Sequence, residues 1–271
     1  MRLACSTFSY DQAFRNGDFH LTDFLDCAWE AGLDGIELND GYLLREGLPL
    51  AVIKRRATAM ALDIAAVAVE SNFYRDSDEE IERERDNILA WLEHAYFLGA
   101  PLLRLNTCQL EDVARGRHLS QARVLNWAVE TFRSVVPAAE ERGIILALEN
   151  HFGITRTAAD TAALVEAVDS PWFRVNLDTG NFCADWHTGG CPYEDTYEGI
   201  RLLAPLAAFC HAKIRELSAD GKNDLTLDYP RIVGILYSTG YTGYLSVEYV
   251  GRRDPIQVMP TAVDMLRSCL P

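Results

Sequence analysis

One feature constrains this chain more than any other: an alternation that repeats eight times. A short run of apolar and β-branched residues is followed by a longer segment whose apolar residues recur at helical spacing. "LACSTFS" leads into "LTDFLDCAWEAG", where Leu21, Phe24, Leu25 and Ala28 keep the i, i+3, i+4, i+7 pattern of one buried helix face. "GIELN" precedes a helix expected from about Pro49 to Leu62, and "IAAVAVES" precedes one whose start carries Ser77 and Glu80 at capping-box spacing. "LLRLN" precedes Ser120 to Glu141, "GIILALEN" precedes Thr157 to Val168, and "FRVNLD" precedes a helix near Tyr193 to Ala207. "AFCHAKI" precedes Tyr229 to Thr239, and "YLSVEY" precedes a last helix opened by Asp254 and Pro255, a capping residue and a first-turn proline.

Eight strand-helix units in 271 residues match a closed (β/α)8 barrel, or TIM barrel, whose usual size is ~250 residues. An open doubly wound sheet would carry a glycine-rich first turn, and no GxGxxG follows any strand. No linker, low-complexity segment or break in composition interrupts the pattern, so residues 1–271 are expected to form a single α/β domain. Forty acidic residues against twenty-five basic ones give a net charge of −15, a poor match to nucleic acid or to an anionic membrane surface. No stretch approaches the ~18 apolar residues of a membrane span, and "MRLACSTFSY" turns polar too soon for a signal peptide, so a cytoplasmic protein is expected. The cysteines are seven (Cys5, Cys27, Cys108, Cys183, Cys191, Cys210, Cys269), an odd number without CxxC spacing, which suits reduced thiols rather than a disulfide framework or a zinc site.

A barrel carries its chemistry at the C-terminal ends of its strands. In "GIILALENH" the run Ile144 to Leu148 reads as a strand covered on both faces, and Glu149 follows it directly. A buried carboxylate there costs several kcal/mol unless a cation or hydrogen-bond donors compensate it. The next strands end in the same way: Asp178 in "VNLDTGNF", His211 in "FCHAKI" and Glu248 in "YLSVEYV". Four consecutive strands thus bring one metal-ligand type each to one rim. The set is rich in oxygen and carries three negative charges, which suits one divalent ion, Mn²⁺ first, with Mg²⁺, Co²⁺ or Zn²⁺ as alternatives. Residues two apart on a strand point the same way, so His151 accompanies Glu149 and Lys213 accompanies His211, as candidates to hold substrate oxygens.

With these residues in place the chain resembles a known family. "LALENH", "NLDTGNF", "HAKI" and "GYTGYLSVEY" together look like the sugar phosphate isomerase/epimerase group of xylose isomerase-like TIM-barrel proteins, which includes ketose 3-epimerases, hydroxypyruvate isomerases and keto-inositol isomerases. The likeness runs over essentially the whole chain and is most specific from Gly143 to Val250. It implies that Glu149, Asp178, His211 and Glu248 hold the metal and that Glu149 and Glu248 are the proton-transfer pair. Two positions depart from the family pattern. Asn181 stands where many members have a histidine, and Leu217 replaces an arginine of the ketose epimerases, with Arg215 nearby; both changes fall in the substrate-binding layer.

The function that follows is isomerisation or epimerisation of a small sugar, sugar phosphate or keto-polyol by proton abstraction next to a carbonyl, through an enediolate that the ion stabilises. A lyase or dehydratase using the same enediolate is the alternative. An apurinic-site endonuclease would want extra histidines on strands three and four, which read "AAVAVES" and "LLRLN", and a basic groove. A non-catalytic sugar-binding protein would bind metal without turnover. A homo-oligomer, dimer or tetramer, is expected, with no nucleic-acid partner.

Other polar positions near strand ends are Glu37, Glu70 and Asn106, candidates for groups that support the site or salt-bridge beside it. "CADWHTGGCPYEDTY", with His187, Cys183, Cys191 and Trp186, reads as a lid rather than a zinc cluster. Phe8, Phe73 and Phe152 are candidate apolar walls, and "DEEIERERD" reads as a solvated helix face.

Overall fold

The structure is a computed structural model, and it describes residues 1–182 and 195–271. The eight strands form one closed parallel barrel in sequence order. β1 (Arg2–Ser6) is followed by α1 (Asp11–Asn16) and α2 (Leu21–Glu30), and β2 (Gly35–Asn39) by α3 (Asp40–Glu46) and α4 (Leu50–Ala59). β3 (Asp63–Val69) leads to α5 (Asp78–Leu98), and β4 (Leu102–Leu105) to α6 (Leu110–Arg115) and α7 (Gln121–Arg142). β5 (Ile145–Glu149) leads to α8 (Ala158–Val168), β6 (Phe173–Asp178) to α9 (Thr196–Leu203), β7 (Ala207–Ile214) to α10 (Tyr229–Ser238), and β8 (Tyr244–Tyr249) to α11 (Pro255–Cys269).

The helix starts follow from local chemistry. Ser77, Ser120, Thr157, Asp228 and Asp254 each accept a backbone N–H of the first turn, which satisfies donors that the helix itself leaves open. At α5 the capping box is altered: Ser77 accepts from Glu80 N–H, but the Glu80 carboxylate accepts from Asp76 N–H. α5 and α7 end on Gly99 (φ 82°) and Gly143 (φ 65°), the left-handed conformation that glycine adopts without steric cost. The run Asp78 to Asp86 is only partly solvated. Ile81 and Glu84 are buried, and Glu84 pairs with Arg75 at 3.0 Å.

Strand parity divides the interior in two. Leu3 and Cys5, Ile36 and Leu38, Leu103 and Leu105, and Val175 and Leu177 join the helices in one large apolar layer. A second, smaller apolar cluster lies inside the barrel, four alanines (Ala4, Ala65, Ala66, Ala147) with Leu102 and Phe209. Barrel interiors are ordinarily filled by bulky branched side chains. Alanines leave volume that close packing must fill, and long polar side chains fill it here. Glu37, Arg104, Asn176, His211 and Ser246 are all buried on inward positions. Phe73, a candidate wall of the site, belongs instead to the helix-facing core, edge-on to Phe132 at 5.1 Å.

Candidate metal and active site

Asn150 explains why Glu149 and His151 are separated by an asparagine. Its side chain donates to Asp178 O at 3.0 Å and accepts Asp178 N–H at 2.8 Å, clamping the ends of β5 and β6 together. Thr179 does the same between β6 and β7, donating its N–H to His211 O at 3.1 Å and accepting Lys213 N–H on its hydroxyl at 3.0 Å. Tyr229 of α10 donates to Lys213 O at 2.7 Å. The strand ends that carry the site are therefore held by side chains rather than by ladder bonds alone.

On this frame Glu149, Asp178, His211 and Glu248 converge, all buried, each offering one ligand atom within 4.8 Å of the others. It is the group of this kind found among the described residues. His211 Nδ1 faces Glu149 Oε1 at 3.7 Å, Asp178 Oδ2 at 3.7 Å and Glu248 Oε2 at 3.9 Å. Asp178 turns its other oxygen, Oδ1, to the N–H groups of Gly180 (2.7 Å) and Asn181 (3.1 Å), so the "DTGN" turn fixes which oxygen looks inward. His211 Nε2 lies 2.9 and 3.0 Å from the two oxygens of Glu37.

Two buried cations balance the carboxylates. Lys213 Nζ reaches Asp178 Oδ2 at 2.8 Å, Glu248 Oε2 at 2.5 Å and Asn181 Oδ1 at 3.1 Å. Arg104, from the middle of β4, pairs with Glu149 Oε2 and is itself 5% exposed. It is the cation that a buried Glu149 required, and the sequence reading passed over it. The signal was present: one arginine among leucines in "LLRLN", at an inward position of a strand covered on both faces.

Burial opposes ionisation of all these groups, and their partners overrule it. Burial would raise the Glu149 carboxyl, but Arg104 and then His211 hold it far below the usual carboxylate range. Asp178 is lowered in the same sense, burial being outweighed first by Lys213. Lys213 is raised, because Asp178 and Glu248 outweigh its burial. His211 is raised well above its ordinary value against burial, first by Glu37 and then by Asp178 and Glu149. Four buried carboxylates (Glu37, Glu149, Asp178, Glu248) thus face two permanent cations, Arg104 and Lys213. The raised His211 takes up part of that excess as an imidazolium; were a metal ion to displace its proton, the shortfall would be two positive charges, the charge of one divalent ion. Donor types, spacing and charge all fit such an ion, and these four residues could hold it.

The remaining candidates divide. Asn181 is in the group: its amide donates to Glu149 Oε1 at 2.8 Å while its oxygen takes Lys213. His151 borders it, its Nδ1 donating to Cys108 O at 3.1 Å, which leaves Nε2 as an acceptor. Burial, first among the causes, lowers its pKa, which disfavours the charged ring. Phe152 packs edge-on against that ring at 4.3 Å. Asn106 is buried and accepts Ser71 N–H at 2.8 Å, and its amide nitrogen has no partner among the described residues. Glu70 stands outside the four-residue group, its N–H donating to Asp40. Phe8 is 39% exposed on the rim. Leu217 is buried, and Arg215 donates to Gly180 O at 3.3 Å. Cys183, Trp186, His187 and Cys191 lie outside the described residues.

A closed eight-stranded barrel with a buried Glu/Asp/His/Glu group on its C-terminal rim defines a metal-competent TIM-barrel protein. The chain belongs to the xylose isomerase-like TIM barrel family, which it matches over residues 25–269. Among curated proteins it is similar to mannonate dehydratase 2 of Agrobacterium fabrum, with 26% identity over 203 residues, 71% of this chain and 48% of the relative. The chain therefore spans about half the length of that relative. Among solved structures it shares its fold with a D-psicose 3-epimerase from Clostridium cellulolyticum H10 (TM-score 0.79, 16% identity, covering 100% of this chain and 99% of the other). A 3-keto-D-glucoside 4-epimerase from E. coli is similar too (TM-score 0.77, 15% identity, covering 99% and 100%). Among the described residues no helix is long and apolar enough to cross a membrane.

If the four residues hold a metal, Asp178→Ala and His211→Ala should each lower the divalent-ion content of purified protein from about one per chain toward zero. Elemental analysis on folded protein reads this directly, and full occupancy in both variants would reject the ligand set.

Proposed function

We propose that this protein is a divalent-metal-dependent isomerase or epimerase that moves a proton next to the carbonyl of a small sugar, sugar phosphate or keto-polyol. The observation that carries the reading is the arrival of two glutamates, from β5 and β8, in one buried group with Asp178 and His211. A bound divalent ion, Mn²⁺ in the first place, supplies Lewis acidity to a carbonyl and its neighbouring hydroxyl, which steadies the negative charge that grows as the proton leaves.

The side chains do the rest. Arg104 keeps Glu149 in the ionised form that can accept a proton, at the expense of its basicity. Glu248, touching Lys213, is the second carboxylate, which returns a proton at the new face or position. Lys213 and Asn181 stand between the two glutamates and are assigned to the substrate oxygens, with His151 Nε2 as an acceptor for a hydroxyl.

Hydrogen exchange tests this reading. A proton that rests on a glutamate trades with solvent, so turnover in D₂O should place deuterium on the reacting carbon. Ketoses, keto-acids and keto-inositols should be screened with metal-loaded protein, the label being read by mass spectrometry or NMR. Product that stays unlabelled over repeated turnovers would point to direct hydride transfer and count strongly against the glutamate pair, unless the base is shielded from exchange with solvent. A second reading, dehydratase, is favoured by the similarity to mannonate dehydratase 2 and by the departures at Asn181 and Leu217. There the same abstraction is followed by departure of a β-hydroxyl, protonated to water as the C–O bond breaks, and the product is lighter by one water.

A further inference from the structure

Glu37 reaches His211 across the barrel, from β2 to β7; its register partner on β3 is Ala66. Both of its oxygens lie against Nε2, at 2.9 and 3.0 Å, and Ser246, register partner of His211 on β8, donates its hydroxyl to Glu37 Oε2 at 3.1 Å. The carboxylate is wholly buried. An ionised carboxylate only accepts, so Nε2 carries a proton in this contact. A ring that has given up its other proton to a metal has this one N–H, which leaves the lone pair on Nδ1. That is the nitrogen turned toward Glu149, Asp178 and Glu248 at 3.7, 3.7 and 3.9 Å. Glu37 lies beyond the other ring nitrogen and is not itself part of the ligand group.

We propose that Glu37 is a positioning residue: by taking the Nε2 proton it fixes the ring and tautomer of His211 so that Nδ1 is the metal-binding atom. The proposal rests on reading the four rim residues as the ligand set. It assigns the buried acid of "GIEL" a task at the opposite wall of the barrel, which the strand-end pattern did not reveal. Partners of this kind typically govern metal affinity by 10- to 100-fold.

The test measures metal binding rather than turnover. Zn²⁺ affinity of chelator-stripped protein is determined by competition with a chromophoric chelator, for wild type, Glu37→Gln and Glu37→Leu, with folding checked by circular dichroism. Glu37→Leu should bind about 10- to 100-fold more weakly. Glu37→Gln should lose less, because its amide oxygen still accepts from Nε2. In the Zn²⁺-loaded wild type, ¹⁵N NMR of labelled histidines should show His211 with Nε2 protonated and Nδ1 metal-bound, the signal being assigned from its absence in His211→Asn. Undiminished affinity in Glu37→Leu overturns the proposal, as does metal on Nε2. Equal losses in Glu37→Gln and Glu37→Leu would also overturn it, marking damage to packing. Absence of binding in the wild type is a different failure, which sinks the ligand set itself and the proposal with it.

Discussion

Turnover should fall by about 10²- to 10⁴-fold in both Glu149→Gln and Glu248→Gln, with a smaller change in substrate affinity. The amide keeps the shape of each side chain and removes the oxygen that takes or returns the proton. Both glutamates belong to the proposed ligand set, so steady-state rates should be normalised to metal content measured on the same samples. The two variants should differ in stability. Glu149→Gln strands Arg104, a buried guanidinium paired with it, whereas Glu248→Gln leaves Lys213 in contact with Asp178. Near-normal turnover per bound metal in either variant would remove the paired-carboxylate mechanism.

The largest loss of stability should come from Arg104→Met. Methionine fills much of the arginine stem but leaves Glu149 buried without its cation, and breaking a buried pair from one side costs about 3–5 kcal/mol. The pH dependence separates charge from packing. In wild type Glu149 is held below its unfolded value, ~4.3, so its stabilising contribution is present above that pH and is lost as the pH falls. Without Arg104, burial is opposed only by the remaining partners, His211 first, so the carboxyl moves up from its lowered position and the variant keeps less of that stability at neutral pH. The gap between the two proteins should be wide at neutral pH and should shrink as the pH falls below the unfolded value toward the lowered folded one, as read by urea unfolding of metal-stripped samples. A gap that does not change with pH would make Arg104 a packing residue only.

The eight strand-helix units were legible because outward strand positions and inward helix faces must be apolar to meet, which leaves periodic marks at both. Helix starts were legible at Ser77, Ser120, Thr157 and Asp254, where a side chain must cap open N–H groups. The short helices α1, α3 and α6, of six or seven residues, left too little pattern to be seen and rest on tertiary contacts. Strand period was applied to β5 and β7, which brought His151 and Lys213 forward. Applied to β4 it would have singled out Arg104, two residues before Asn106. Glu37 was visible as a strand-end acid, but its bond to His211 joins residues 174 apart, and no local pattern encodes a contact across a barrel. The latch made by Asn150 was hidden in the same way, being a link between neighbouring strands separated by a helix.

A barrel whose centre holds several alanines and long charged side chains, with few branched aliphatics, has a thermodynamic consequence. Its cohesion becomes subject to mass action. With the rim residues as ligands, an ion that binds the folded chain and not the unfolded one adds about 2.7 kcal/mol of stability at a concentration a hundred times its dissociation constant. The midpoint of thermal unfolding then reports the free ion concentration of the surroundings as much as it reports the sequence. A chelating buffer and a metal-replete one would assign this chain two different stabilities, both of them correct.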